Sequence, residues 1–146
     1  MYWVCSLIEF DILGRSLERR IGIGFYFRPN GNEENFSVKN WLSEIDSLEL
    51  MVGYSSGSDD IFNFELRYAR VFKVEGMTDL FYGIGTGIIS KDSTRGTVIR
   101  FFSGSEFFPR NSPNLGISLE LGVLSKQGLS DDSQSFYNAI SARYYF

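Results

Sequence analysis

Acidic and guanidinium side chains recur among apolar residues in several short stretches of this chain. Glu49 lies in LELMVGYS, Glu65 and Arg67 in FNFELRYAR, and Arg100 and Glu106 in VIRFFSGSEFF. Glu120 lies in ISLELG, Arg143 in ISARYYF, and Arg20 opens RIGIGFYFR. Such groups could build a Glu–Arg site, with or without a serine. They could equally pair with one another in a place that excludes water, where a charge needs a partner. The rest of the composition favours pairing. The 146 residues include no histidine, which removes the usual general base, the imidazole metal ligand and the partner of a Ser or Cys nucleophile. No Cys, Asp and Glu cluster has metal-ligand spacing, and no phosphate-cradling G-x-x-x-x-G-K-[ST] loop occurs. The single cysteine, Cys5, excludes an intramolecular disulfide, and its context YWVC is a poor lipid-attachment signal. No catalytic residue, metal or cofactor is therefore expected. The net charge of −4 and the lack of a basic stripe argue against a nucleic-acid partner.

The elements that carry these residues are short. Turn-rich clusters divide the chain into eight segments of strand length. They are 20–28, 35–42, 48–56, 61–73, 80–90, 96–108, 115–126 and 135–146. The second, containing NWLSEI, could instead open a helical turn. High Gly, Phe and Tyr with only three prolines favour β structure. Short connectors give antiparallel neighbours in a meander, and eight meandering strands can close and lose both edges. No apolar run is long enough for a transmembrane helix. GIGTG at 83–87 fits small residues on one strand face better than a dinucleotide turn. Residues 19–146 are expected to form one barrel domain. Residues 1–18 lack a basic n-region and carry Glu9 and Asp11 within their apolar part, unlike a secretory signal. They are expected to be an atypical segment, non-native or with a misassigned start.

Sorting each segment by parity separates two faces. One holds Ile21, Ile23, Phe25 and Phe27; Leu48, Leu50, Val52 and Tyr54; Phe62, Phe64, Leu66 and Tyr68. The same pattern runs to the last segment, where Ile140, Ala142, Tyr144 and Phe146 oppose Ser141, Arg143 and Tyr145. The opposite face is dominated by glycine, serine and the charges named above. A soluble barrel would point the apolar face inward. A membrane barrel would turn it to lipid and fill a polar lumen with small and charged groups. Glycine favours the membrane form, because it weakens a solvated strand without benefit, whereas a narrow barrel needs small side chains inside. The predicted fold is therefore all-β: an eight-stranded antiparallel up-and-down transmembrane β-barrel. Its lumen is predicted to hold a charge network of Glu49, Glu65, Arg67, Arg100, Glu106, Glu120 and Arg143, with Arg20 on the same parity. Aromatic residues near strand ends suit interfacial girdles: Phe27, Trp41, Tyr54, Phe72, Phe107 and Phe108.

At this point the chain resembles the small eight-stranded bacterial outer-membrane barrels of the outer membrane protein A and X type. The likeness covers about 21–146. It rests on WLSE at 41–44 with LELMVGYSSG at 48–57, YGIGTGI at 82–88, GSEFFP at 104–109, PNLGISLELG at 113–122 and YYF at 144–146. These motifs specify architecture and say little about activity. The resemblance implies that Tyr144 and Phe146 form a C-terminal signal read by the barrel assembly machinery, with Asn138 at a position usually apolar. It also implies outer-membrane lipid as a partner, a monomer, and periplasmic chain ends. Outer loops would then fall near 30–35, 57–60, 91–95 and 127–134. A plugged barrel with a structural, adhesion or stress-type role is the leading expectation. The competing readings are a soluble lipocalin-like carrier of a small apolar ligand, and a lipid-modifying enzyme disfavoured by the missing histidine.

Overall fold

The computed structural model describes residues 20–29, 33–55, 61–91, 94–129 and 132–146. Strands β1 (Ile21–Arg28), β2 (Glu33–Trp41), β3 (Asp46–Ser55) and β4 (Ile61–Glu75) are followed by β5 (Thr78–Lys91), β6 (Thr94–Phe107), β7 (Leu115–Gln127) and β8 (Ser133–Tyr145). Each pairs antiparallel with the next, and β8 pairs with β1, so the sheet closes into a barrel. The expectation for residues 1–18 lies outside the described residues.

The segment that could have opened a helix is strand as far as Trp41, with a bend at 42–45. Asn40 and Trp41 stay in the ladder opposite Leu48 and Ser47, so strand pairing overrides the local helical pattern. β4 and β5 continue past their expected ends to a tight turn at Gly76, whose φ of 60° suits a residue without Cβ. A register shift between Val71 and Lys73 places a bulge in β4. It turns both Phe72 and Lys73 outward, as two residues then oppose one.

The register fixes the shape. From Ile23, the paired residues run through Val38, Leu50, Leu66, Thr86, Ile99 and Ser125 to Gln134, ten residues before the Tyr144 that Ile23 itself faces. That stagger in eight strands corresponds to a tilt of roughly 40° and a lumen just wide enough for side chains. The start of β1, the end of β8 and the connections 42–45, 76–77 and 108–114 share one rim, termed the rim of the chain ends. The opposite rim holds the β1–β2, β3–β4, β5–β6 and β7–β8 hairpins.

Hydrophobic side chains occupy both surfaces of the wall, but differently. Outside lies a broad belt that includes Phe25, Leu66, Ile84, Phe101 and Leu121. Inside, Trp41, Val71, Phe81, Phe108 and Tyr145 pack near the rim of the chain ends, and Ile89, Val98 and Leu124 pack towards the other. The charged residues lie between these two layers. The apolar interior required of a lipocalin-like carrier is therefore not what this barrel has. Its interior centre is ionic and its greasy face is outward.

Candidate functional site

Buried charges sit on all eight strands, and those of the central network on β2, β3, β4, β6, β7 and β8, because strand pleating sends every second side chain into the lumen. Glycines on neighbouring strands make room. A Cβ at Gly116 would lie 2.6 Å from Glu106 Oε1, and one at Gly85 2.5 Å from Glu65 Oε1. This close approach, rather than backbone freedom, explains the small residues on the inner face.

The network runs as an alternating ladder. Lys39 Nζ meets Glu106 Oε2 at 2.6 Å, and Glu106 Oε1 lies 3.7 Å from the Arg143 guanidinium. Arg143 pairs with Glu49, its Nε donating to Oε1 at 2.7 Å. Glu49 in turn lies 3.4 Å from Arg67, which pairs with Glu120 and approaches Glu65 at 3.9 Å. Arg100 completes the ladder on Glu65 at 2.9 Å. Four cations and four carboxylates therefore interleave, and all eight residues are buried. Their formal charges cancel. This lowers the cost of holding ions away from bulk water, since each charge faces an opposite one.

Hydroxyl groups take up further lone pairs on Glu49, Glu106 and Glu120. The Tyr26 and Tyr137 hydroxyls donate to Glu120 Oε1 at 3.0 and 2.6 Å, and the Tyr145 hydroxyl donates to Glu106 Oε1 at 2.5 Å. Ser37 donates to Glu49 at 2.7 Å, while Arg143 also donates to Ser118 and Ser141. Rings cover the cations. The Arg67 guanidinium lies 3.9 Å from the Phe102 centroid, Arg100 4.6 Å from Tyr137, and Lys39 Nζ 4.5 Å from Trp41. The cavity beside Asn63, Glu65, Arg100 and Leu124 measures about 10 Å³, space on the order of a single water.

All seven residues expected to form the charge network meet in it. Arg20 does not. It is half-buried at the rim, where its guanidinium donates to Asn114 Oδ1 at 3.1 Å. Phe27, Tyr54, Phe72 and Phe107 are exposed on the outer face, with Phe27 and Tyr54 towards one rim and Phe72 and Phe107 towards the other. Tyr144 and Phe146 are exposed at the rim of the chain ends, their rings 5.3 Å apart.

Two expected girdle residues need correction. Trp41 and Phe108 are each only 1% exposed and point inward. Trp41 shares parity with Ser37 and Lys39, so its indole lies in the lumen under the Lys39 ammonium. Phe107 and Phe108 are consecutive, and pleating sends consecutive residues to opposite faces. Phe107 takes the outside, and Phe108 packs inside against Tyr145 with centroids 5.7 Å apart. Sequence reasoning missed Lys39, Ser37, Tyr26 and Tyr137 as members of the network. Parity within 35–42 could have found the first two once that segment was read as a strand. Sequence parity places Tyr145 on the inner face, and the structure adds its bond to Glu106.

Chemically, this arrangement stores charge rather than exposing it. Every network carboxylate is held by a cation, and none has a serine placed as a nucleophile beside a free base. Glu106 and Glu120, the acids that a lipid-modifying reading would use, lie inside, away from the outer face. Among the described residues no group of three His, Cys, Asp or Glu is placed to hold a metal ion.

No protein-family model matches the chain, and no curated protein does. Solved structures do match in fold. The N-terminal β-barrel domain of Pseudomonas aeruginosa OprF superposes with a TM-score of 0.65 at 13% identity, covering 88% of this chain and 98% of that one. Ail, the attachment invasion locus protein of Yersinia pestis, gives 0.52 at 16% identity, covering 88% and 99%. The de novo designed barrel TMB2.3 gives 0.56 at 16% identity, covering 86% and 90%. With its greasy wall and ionic lumen, the chain has the fold of a transmembrane β-barrel. It is the small eight-stranded kind, as the resemblance to outer membrane proteins A and X implied.

Proposed function

We propose that the protein is a non-enzymatic outer-membrane barrel with a plugged lumen and a structural, adhesion or stress-type role. One observation carries this reading: a closed wall that is apolar outside and ion-paired inside. A bilayer rewards that inversion, because closure satisfies every ladder hydrogen bond and the outward belt avoids hydrophilic contact. Among the described residues the lumen is filled by side chains, which commits its acids to structure and argues against transport. In this reading the protein works as a monomer, its partners are outer-membrane lipid and the barrel assembly machinery, and no nucleic acid or cofactor takes part. The longer strands β4 to β8 raise the rim opposite the start of β1 and the end of β8, and an adhesive contact would lie there.

The test is gel mobility of chain refolded into detergent micelles. A compact band that shifts on boiling is expected. A chain that stays soluble and monomeric without detergent, with no shift on boiling, would overturn the membrane reading.

A further inference from the structure

The outer wall is not uniformly convex. A groove of about 570 Å³ crosses it obliquely, from Phe72 and Leu80 near the rim of the chain ends, over Ser103 and Ser105, to Leu121 and Asn138 on the far side. It continues to Pro29, just past β1, so it spans five strand-to-strand steps, or ~24 Å. One bilayer leaflet is about 15 Å of hydrocarbon, half the usual core. A single acyl chain therefore fits within its length, and the oblique path lets it descend through one leaflet.

We propose that this groove holds one acyl chain of a glycerophospholipid, with the phosphate at the Phe72 end. The proposal rests on the membrane-barrel reading above. Three observations select this occupant. The groove is continuous with the apolar belt on both sides, so hydrocarbon is what meets it. Its floor has small side chains, and the Ser103 hydroxyl is already spent on the Phe81 carbonyl oxygen at 2.9 Å, leaving a methylene towards the groove. At its lower mouth Lys73 stands opposite the groove residue Leu80 and is turned outward by the bulge. Lys73 pairs with Glu75, but both are more than half exposed, and so weak a surface pair exchanges readily for a phosphate. A second copy of the chain fits less well, since two concave faces related by a two-fold axis would leave a void between them.

Native mass spectrometry of the refolded barrel, in nonionic detergent carrying palmitoyl-oleoyl phosphatidylglycerol, tests this. One retained lipid per barrel is expected. Ser103→Phe, which fills the floor, should lower the lipid-bound fraction at least fivefold, with Ser105→Leu as the milder version. Thr86→Phe, the same bulk at an exposed outward position on β5 away from the groove, should leave it unchanged. Lys73→Gln should reduce retention about threefold. Equal retention in both groove variants, an equal loss in Thr86→Phe, or a dimer mass in place of the lipid adduct would overturn the proposal. Every variant is first checked for the heat-shifted band. Loss of that band in the wild type counts against the membrane reading, whereas a shifted band without lipid counts only against the groove.

Discussion

Glu106 is held by Lys39, Arg143 and the Tyr145 hydroxyl, with its side chain about 1% exposed. Truncating it takes the paired carboxylate from Lys39 and leaves Arg143 with Glu49 alone. Glu106→Ala is expected to destabilise the barrel by about 3–5 kcal/mol, as for other buried pairs that lose one member. Arg143→Ala should cost a similar amount, because Glu49 and Glu106 both lean on that guanidinium. The double change Lys39→Met with Glu106→Leu removes a cation and an anion together, so it should cost less than Glu106→Ala alone. Urea unfolding in micelles reads all three, and changes below about 0.5 kcal/mol for the single variants would place these side chains in bulk water. The acids and arginines of this ladder were legible from parity alone, because an inward charge leaves a period-two trace in the sequence. The tyrosines were not. Tyr26 and Tyr137 read as apolar by type, while in the lumen each contributes a hydroxyl to Glu120 and a ring to Arg100. Trp41 and Phe108 misled for the opposite reason, since proximity to a strand end says nothing about which face a side chain takes.

The strands show what pleating can and cannot settle. Leu66 in the middle of β4 pairs with Leu50 and Thr86 and is nearly half exposed. In water an arginine there would be harmless. Facing lipid, Leu66→Arg is expected to cost roughly 2–4 kcal/mol, the penalty for a cation near the midplane of a membrane barrel. Unfolding in phospholipid vesicles checks this, and an unchanged midpoint would argue for a solvated wall. Gly116 on β7 belongs to the other face. A side chain there meets Glu106 Oε1 at 2.6 Å and the Tyr145 ring at 2.9 Å. Gly116→Val should therefore cost roughly 1–3 kcal/mol by overpacking, again read as a shift in the unfolding midpoint. All eight strands could be placed from alternation and turn residues, because lipid and lumen impose opposite demands on adjacent positions. Their ends were less legible. β5 and β6 extend through Thr78, Asp79, Thr94 and Arg95, polar residues that resemble loop in composition but continue the ladder. The bulge at Val71 and Lys73 left no mark in the alternation that would have revealed it beforehand.

At the scale of the whole barrel, closure depends on pairing the first strand with the last. Gly22 to Phe27 on β1 pair with Tyr145 to Ile140 on β8, and the Phe146 amide donates to the Ile21 carbonyl oxygen at 3.0 Å. That last bond belongs to the backbone. The Phe146 side chain contributes nothing to it and stands 70% exposed beside Tyr144. A role in stability and a role in recognition therefore make different predictions for one substitution. Phe146→Ala keeps the closing hydrogen bond and removes only outward surface, so the barrel refolded in micelles should unfold within about 0.5 kcal/mol of the wild type. If the ring is read by the assembly machinery, the same variant should accumulate less folded protein in bacterial outer membranes, measured as the heat-shifted fraction after expression. A loss confined to cells would assign the terminal ring to delivery. Equal loss in micelles and in cells would instead make it part of the seam. Normal accumulation in cells would remove Phe146 from the signal and leave the inward partner of the last pair, Tyr145, to hold the end of the chain through Glu106.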